Sequence, residues 1–168
     1  MSDIQEPHQS ELVNLLQHYQ NKRYEDAEKL ALNLTEKFPN HPFGWKVLGA
    51  LLNQINRLSE GLNACQKSVL LEPENAEAHN NLGNTLQKLG RLEEAEASYR
   101  QAIALKINYA EAHNNLGNTL RDLDRLEDAE ASYRQAIALK INYAEAHNNL
   151  ANTLQKLGRL EEAEASYR

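Results

Sequence analysis

Three histidines, His79, His113 and His147, recur at intervals of 34 residues, and each is followed by two asparagines: Asn80 and Asn81, Asn114 and Asn115, Asn148 and Asn149. Imidazole is the commonest metal ligand and proton carrier, so metal binding is the first chemistry to test. A metal ion needs its ligands at roughly 2.0–2.1 Å. Equivalent atoms in successive packed units stand at least ~8–10 Å apart. One ion therefore cannot bridge the three imidazoles, and packing or capping of a neighbouring helix is their expected role. Cys65 has no disulfide partner in the chain and no base to activate it; a buried small hydrophobe is the expectation. No Gly-rich phosphate loop, nucleophile elbow or paired ligand motif is present, so no catalytic residue, metal or cofactor is expected. The asparagines differ. Each amide offers two donors and an acceptor, while an extended peptide presents unpaired N–H and C=O groups at every residue. A row of asparagines can bond those groups without reading side chains.

The elements that position this row follow from the period. Residues 76–109 and 110–143 agree at 30 of 34 positions, and residues 144–168 agree with 76–100 at 24 of 25, Ala151 replacing Gly83. The same frame extends backwards through residues 42–75 (Trp45, Leu48, Gly49, Leu52, Leu58, Gly61, Pro73) and, more loosely, 8–41 (Leu12, Leu15, Leu16, Tyr19, Tyr24, Ala27, Leu34, Pro39). Residues 1–7 are left as a tail, and 144–168 form a shortened unit. Within a unit the apolar spacing is helical. Leu82, Leu86 and Leu89 make one stripe; Leu92, Ala95, Tyr99, Ala102 and Ile103 make a second beyond Gly90, which has the φ freedom to end the first helix. Each unit is thus a helix, a short turn and a second helix. Gly83 costs ~1 kcal/mol in a helix relative to alanine, so close approach of the two helices is its expected reason, and Ala151 is the next smallest choice.

The totals set limits. With 24 acidic and 18 basic side chains the formal net charge is −6, and no basic face for nucleic acid is expected. No apolar run approaches the ~20 residues that span a bilayer, and the polar start from Met1 to Ser10 lacks a signal-peptide core. A cytoplasmic protein with no membrane partner is the expectation.

A 34-residue helix–turn–helix unit with Trp45, Leu48, Gly49, Leu52, Gly61, Cys65, Ser68 and Pro73, then His79, Leu82, Gly83, Leu86, Ala95, Tyr99, Ala102 and Ile107 at the marker positions, resembles the tetratricopeptide repeat. The resemblance covers about residues 8–168. It implies an all-α, right-handed α-solenoid of antiparallel helix pairs that binds proteins or extended peptides. Two departures stand out. His79, His113 and His147 replace a large aromatic residue. Ile107 and Ile141 replace the closing proline, which predicts second helices that run on by a residue or two. AEAHNNLGNTL also resembles the repeats that precede the catalytic part of O-linked N-acetylglucosamine transferases and similar bacterial proteins.

In this family the first helices line the concave side. The inward positions are Glu77, Asn80, Asn81, Asn84, Gln87 and Lys88; Glu111, Asn114, Asn115, Asn118, Arg121 and Asp122; Glu145, Asn148, Asn149, Asn152, Gln155 and Lys156. The resemblance to the transferase repeats implies that Asn81, Asn115 and Asn149 form a ladder holding a ligand's backbone; the alternative is solvated asparagine, or asparagine bonded along its own helix. A clamp for an acidic chain terminus is disfavoured. Asn84 and Asn115 fit it, but Asn80, Glu145 and Asn149 stand where cations are needed, and a frame starting at Lys46 and Asn81 meets Ala50, Glu111 and Asn115.

The ends differ. Glu11 and Asn14 give the first unit the polar outer face of a cap. Leu154, Leu157, Leu160 and Tyr167 are expected to face a missing neighbour, making this end an association site with concentration-dependent self-association. Three functions follow: a binding scaffold, the substrate-recruiting part of a larger glycosyltransferase-like enzyme, or a self-associating structural array.

Overall fold

The structure, a computed structural model, describes residues 6–166. Those residues form ten helices and no strand: α1 (Gln9–Gln20), α2 (Tyr24–Lys37), α3 (Pro42–Gln54), α4 (Leu58–Leu71), α5 (Ala76–Lys88), α6 (Leu92–Leu105), α7 (Ala110–Asp122), α8 (Leu126–Leu139), α9 (Ala144–Lys156) and α10 (Leu160–Ser166). They pair in order as α1/α2 through α9/α10, and each pair stacks on the next as an α-solenoid.

One turn geometry is used five times. Lys22, Asn56, Gly90, Asp124 and Gly158, each 34 residues from the next, all adopt a left-handed backbone with φ of 58°, 63°, 73°, 60° and 76°. The following residue is an arginine every time. The backbone N–H groups of Arg23, Arg57, Arg91, Arg125 and Arg159 donate to the carbonyls of His18, Leu52, Leu86, Leu120 and Leu154 at 2.8–2.9 Å. This six-to-one closure satisfies carbonyls left open at the helix end. A side chain in the left-handed region costs roughly 1–2 kcal/mol, less for Asp and Asn, and a carboxylate at a helix C-terminus opposes the dipole. Both effects act against Asp124. Asp124→Gly is therefore expected to raise stability by about 1 kcal/mol, read as a higher denaturant midpoint with unchanged slope.

The helices end where the period demands, with or without proline. α2, α4, α6 and α8 stop at Lys37, Leu71, Leu105 and Leu139, one position of the 34-residue frame. The expected run-on of α6 and α8 does not occur. Each of the four ends in the same way: the N–H of Phe38, Glu72, Lys106 or Lys140 closes on the carbonyl four residues earlier. The chain then turns toward the next pair, leaving Ile107 and Ile141 exposed.

Gly83 and Gly117 are small for the expected reason. A Cβ on Gly83 would lie 2.6 Å from the ring of Tyr99, and one on Gly117 2.5 Å from the ring of Tyr133. The glycine lets the first helix approach a fully buried tyrosine of the second. The buried apolar residues gather in two groups. One cluster holds Leu15, Ala27, Leu34, Leu51, Leu52 and Ala64, from α1–α4. Another holds Leu86, Tyr99, Leu120, Tyr133, Leu154 and Ala163, from α5–α10, with Leu62 of α4 packed against it.

Leu154 therefore corrects the expectation for the C-terminal end: it is buried in the core of its own pair. Leu157 is half-buried, and Leu160 alone of the three is open, at 63% exposure. Tyr167 lies outside the described residues.

Candidate functional site: the first-helix face

Successive first helices touch one another, α1 on α3, α3 on α5, α5 on α7 and α7 on α9. The second helices pack chiefly on their own first helix and the next one, and meet each other only through long side chains, as Arg134 of α8 does with Glu162 of α10 at 3.3 Å. The first helices thus form the continuous inner side. A cleft of about 470 Å³ opens there, with Tyr19 from α1, Phe43 and Lys46 from α3, Glu77 and Asn81 from α5, and Tyr109 and Glu111 at the start of α7 on its walls. A second cleft of about 380 Å³ adjoins it and brings in Asn84, Gln87, Lys88 and Asn115. Asn118 and Arg121 on α7, and Asn148, Asn149, Asn152 and Gln155 on α9, lie further along the array.

Asn80 and Asn114 are buried beneath this face, although Asn80 borders the larger cleft. They are 1% and 0% exposed. A step of one residue turns a helix by ~100°, which swings each of them from the groove into the junction between pairs. There they act as struts. Asn80 Nδ2 donates to Glu111 Oε1 at 3.3 Å, and Asn114 Nδ2 to Glu145 Oε1 at 3.1 Å. Their own oxygens accept from the next unit: Asn115 Nδ2 lies 3.3 Å from Asn80 Oδ1, and Asn149 Nδ2 lies 3.1 Å from Asn114 Oδ1. Asn148, at the same position of α9, is exposed.

The three ladder asparagines are consequently not equivalent. Asn115 Nδ2 donates to both Asn80 Oδ1 and Asn84 Oδ1, and Asn149 Nδ2 donates to Asn114 Oδ1. Asn115 Nδ2 thus has two acceptors and Asn149 Nδ2 one, and each Oδ1 is left to accept. Asn81 makes no side-chain hydrogen bond to another described residue, and it borders both clefts. Asn84 and Asn118 are held from below, accepting from the hydroxyls of Tyr99 and Tyr133 at 2.8 Å. Burial raises the pKa of both phenols, so they remain neutral donors.

Two of the three histidines and the cysteine have structural partners. Trp45 Nε1 donates to the carbonyl of Pro39 at 2.9 Å. His79 Nε2 bonds the carbonyl of Pro73, and His147 Nε2 that of Ile141, each at 2.8 Å and each six residues back. The imidazole replaces the indole as a ring N–H that pins the turn between pairs. His113 is partly buried, which lowers its pKa. No cluster of three or more His, Cys, Asp or Glu able to hold a metal is found among the described residues. Cys65 is buried with Sγ 3.6 Å from Thr85 Oγ1 of the next pair, and burial pushes its thiol up to about 11. That is a resting thiol.

Arginines clamp the second-helix side. Arg57, Arg125 and Arg159 pair with Glu60, Asp128 and Glu162 three residues on and reach back to Glu28, Glu96 and Glu130 of the preceding pair. Arg91 pairs with Glu94 only, because Leu62 stands where the preceding pair would supply a carboxylate. No helix among the described residues is long and apolar enough to cross a membrane.

Comparison with known proteins agrees with this geometry. Models described as tetratricopeptide repeat match residues 74–142 and 132–165. No curated protein matches the sequence. Among solved structures, TTC0263, a thermophilic TPR protein in Thermus thermophilus, is 25% identical with a TM-score of 0.77, over 95% of this chain and 87% of that one. The crystal structure of MamA is 21% identical with a TM-score of 0.81, over 90% of this chain and 88% of that one. MamA 41-end from Desulfovibrio magneticus RS-1 is 16% identical with a TM-score of 0.83, over 94% and 89%. With the 34-residue period, the helix pairing and these matches in agreement, the chain belongs to the tetratricopeptide repeat family.

Proposed function

We propose that the chain is a non-catalytic scaffold that holds an extended segment of another protein along its first-helix face. The observation that carries this reading is the cleft running across the first helices of four successive pairs, with the unpartnered Asn81 amide on its wall. An extended backbone needs both donors and acceptors. Asn81 offers both, and the engaged amides of Asn115 and Asn149 offer acceptors already fixed in orientation by the unit below. Fixed acceptors lose little freedom on binding.

The test follows from that inequality. Asn81→Ala is expected to lower affinity for a captured partner about 3- to 10-fold, the worth of one or two hydrogen bonds, with no change in melting temperature. The triple change of Asn81, Asn115 and Asn149 to alanine lowers affinity further and also lowers stability, because two of its three amides tie neighbouring pairs. Equal binding of an identified partner by wild type and Asn81→Ala would exclude this face as the site.

A further inference from the structure

The larger cleft has a chemical bias that the asparagines do not explain. Its walls are aromatic: Tyr19 from the end of α1, Phe43 from the first turn of α3, and Tyr109 from the turn before α7. Two carboxylates, Glu77 and Glu111, stand among these rings. Burial raises the phenol pKa of Tyr19 and Tyr109, and both carboxylates raise them further; the two rings sit in the field of the same pair of acids. Aromatic faces attract cations through the ring quadrupole, and carboxylates form charge-assisted hydrogen bonds with ammonium and guanidinium groups. Rings alone would admit any apolar side chain. Rings with carboxylates favour a cation and repel an acid.

The chain's own lysines already show this recognition at two of the three rings, Lys106 Nζ lying 4.6 Å from the centre of the Tyr109 ring. Lys46 lies 2.9 Å from Glu77 Oε2 and 5.9 Å from the centre of the Phe43 ring. That pair accounts for Glu77. Glu111 has only the neutral Asn80 amide, at 3.3 Å, with Tyr19 and Tyr109 on the walls beside it. In the adjoining cleft Lys88 is bonded to the Asn53 carbonyl at 3.0 Å, so it does not neutralise Glu111 by contact. The net charge of −6 adds a long-range pull on a basic partner.

We infer that this cleft seats a lysine or arginine side chain of an extended, basic segment of a partner protein, with Glu111 as the principal acceptor, Tyr19 as its open aromatic wall and Tyr109, whose ring also holds Lys106, on the other side. The inference rests on the scaffold reading above and narrows the partner it takes.

The test uses three labelled dodecapeptides, acetylated and amidated, of alternating serine with lysine, glutamine or glutamate. Binding to the full chain is read by fluorescence anisotropy at low and moderate salt. The serine–lysine peptide is expected to bind best and to weaken as salt rises. Glu77→Gln with Glu111→Gln keeps shape and hydrogen-bonding capacity and should weaken it about tenfold. Glu93→Gln with Glu127→Gln removes the same charge from exposed positions on α6 and α8, and should leave it nearly unchanged. Circular dichroism checks that both variants fold. Equal weakening by the two variants overturns the inference, since the field of the whole protein would then explain binding. Equal binding of the glutamine and lysine peptides also overturns it, while leaving the scaffold reading intact. Binding of none of the three overturns it as well, and the Asn81→Ala comparison with a captured partner then decides the scaffold reading separately.

Discussion

Replacing Tyr133 by alanine should lower the stability of the array by about 3–5 kcal/mol. The ring is fully buried, fills the space left by Gly117, and belongs to the core shared by α5–α10. Its hydroxyl donates to Asn118 Oδ1 at 2.8 Å. Alanine would lose the ring's contacts and leave a cavity that rigid helices cannot close. Tyr133→Phe separates the two contributions: it keeps the ring, gives up one hydrogen bond, and should cost about 1 kcal/mol. In a solenoid each unit contacts only its neighbours, so the damage should be local. Hydrogen exchange should show protection lost in α7–α10 and largely kept in α1–α4, whose core is separate. A loss below about 1 kcal/mol for alanine, or a uniform loss of protection, would show that Gly117 and Tyr133 do not form the joint described above.

Asn114→Ala should cost about 1–3 kcal/mol and uncouple the last pair from the one before. Asn114 is fully buried and serves two groups at once. It donates to Glu145 and accepts from Asn149. Burial and the carboxylates of Glu145 and Glu111 push the Tyr143 phenol up to about 12. Removing the amide leaves the Glu145 carboxylate and the Asn149 donor to find water. The signature is faster amide exchange in α9 with α5 and α6 unchanged, alongside a lower denaturant midpoint. If α9 keeps its protection, the Asn–Glu strut does not hold the junction, and apolar packing alone does.

Much of this molecule can be read from its residue order, and the rest fails for identifiable reasons. The 34-residue frame, the helix pairs and the Gly83–Tyr99 approach follow from apolar period and residue size. The left-handed turn is announced by Gly90 and Gly158 but hidden at Lys22 and Asp124, where tertiary packing overrides preference. The adjacent asparagines are the hardest case. Both members of each pair are polar and identical, so composition cannot say which faces the groove. The usable signal is long-range: a carboxylate recurs 31 residues after Asn80 and after Asn114, and only a junction gives that interval a meaning. The histidines are legible as packing or capping groups, and at His79 and His147 the donor chemistry shared with Trp45 names the bond they make. Leu154 misleads because an array end looks open in sequence, whereas its own partner helix covers it in space.

The missing clamp at Arg91 has a mechanical consequence. It falls between α4 and α5, where the two apolar clusters also part. Leu62 packs across this junction, and polar links join it: Lys46 to Glu77, Lys88 to Asn53 and Cys65 to Thr85. One ion pair fewer restrains the angle between these two pairs than at the other junctions on that side. The cleft spans the junction, with Tyr19 on one side and Tyr109 on the other, so its gauge follows the angle at which the two pairs meet. A segment lying across both is a splint for that angle.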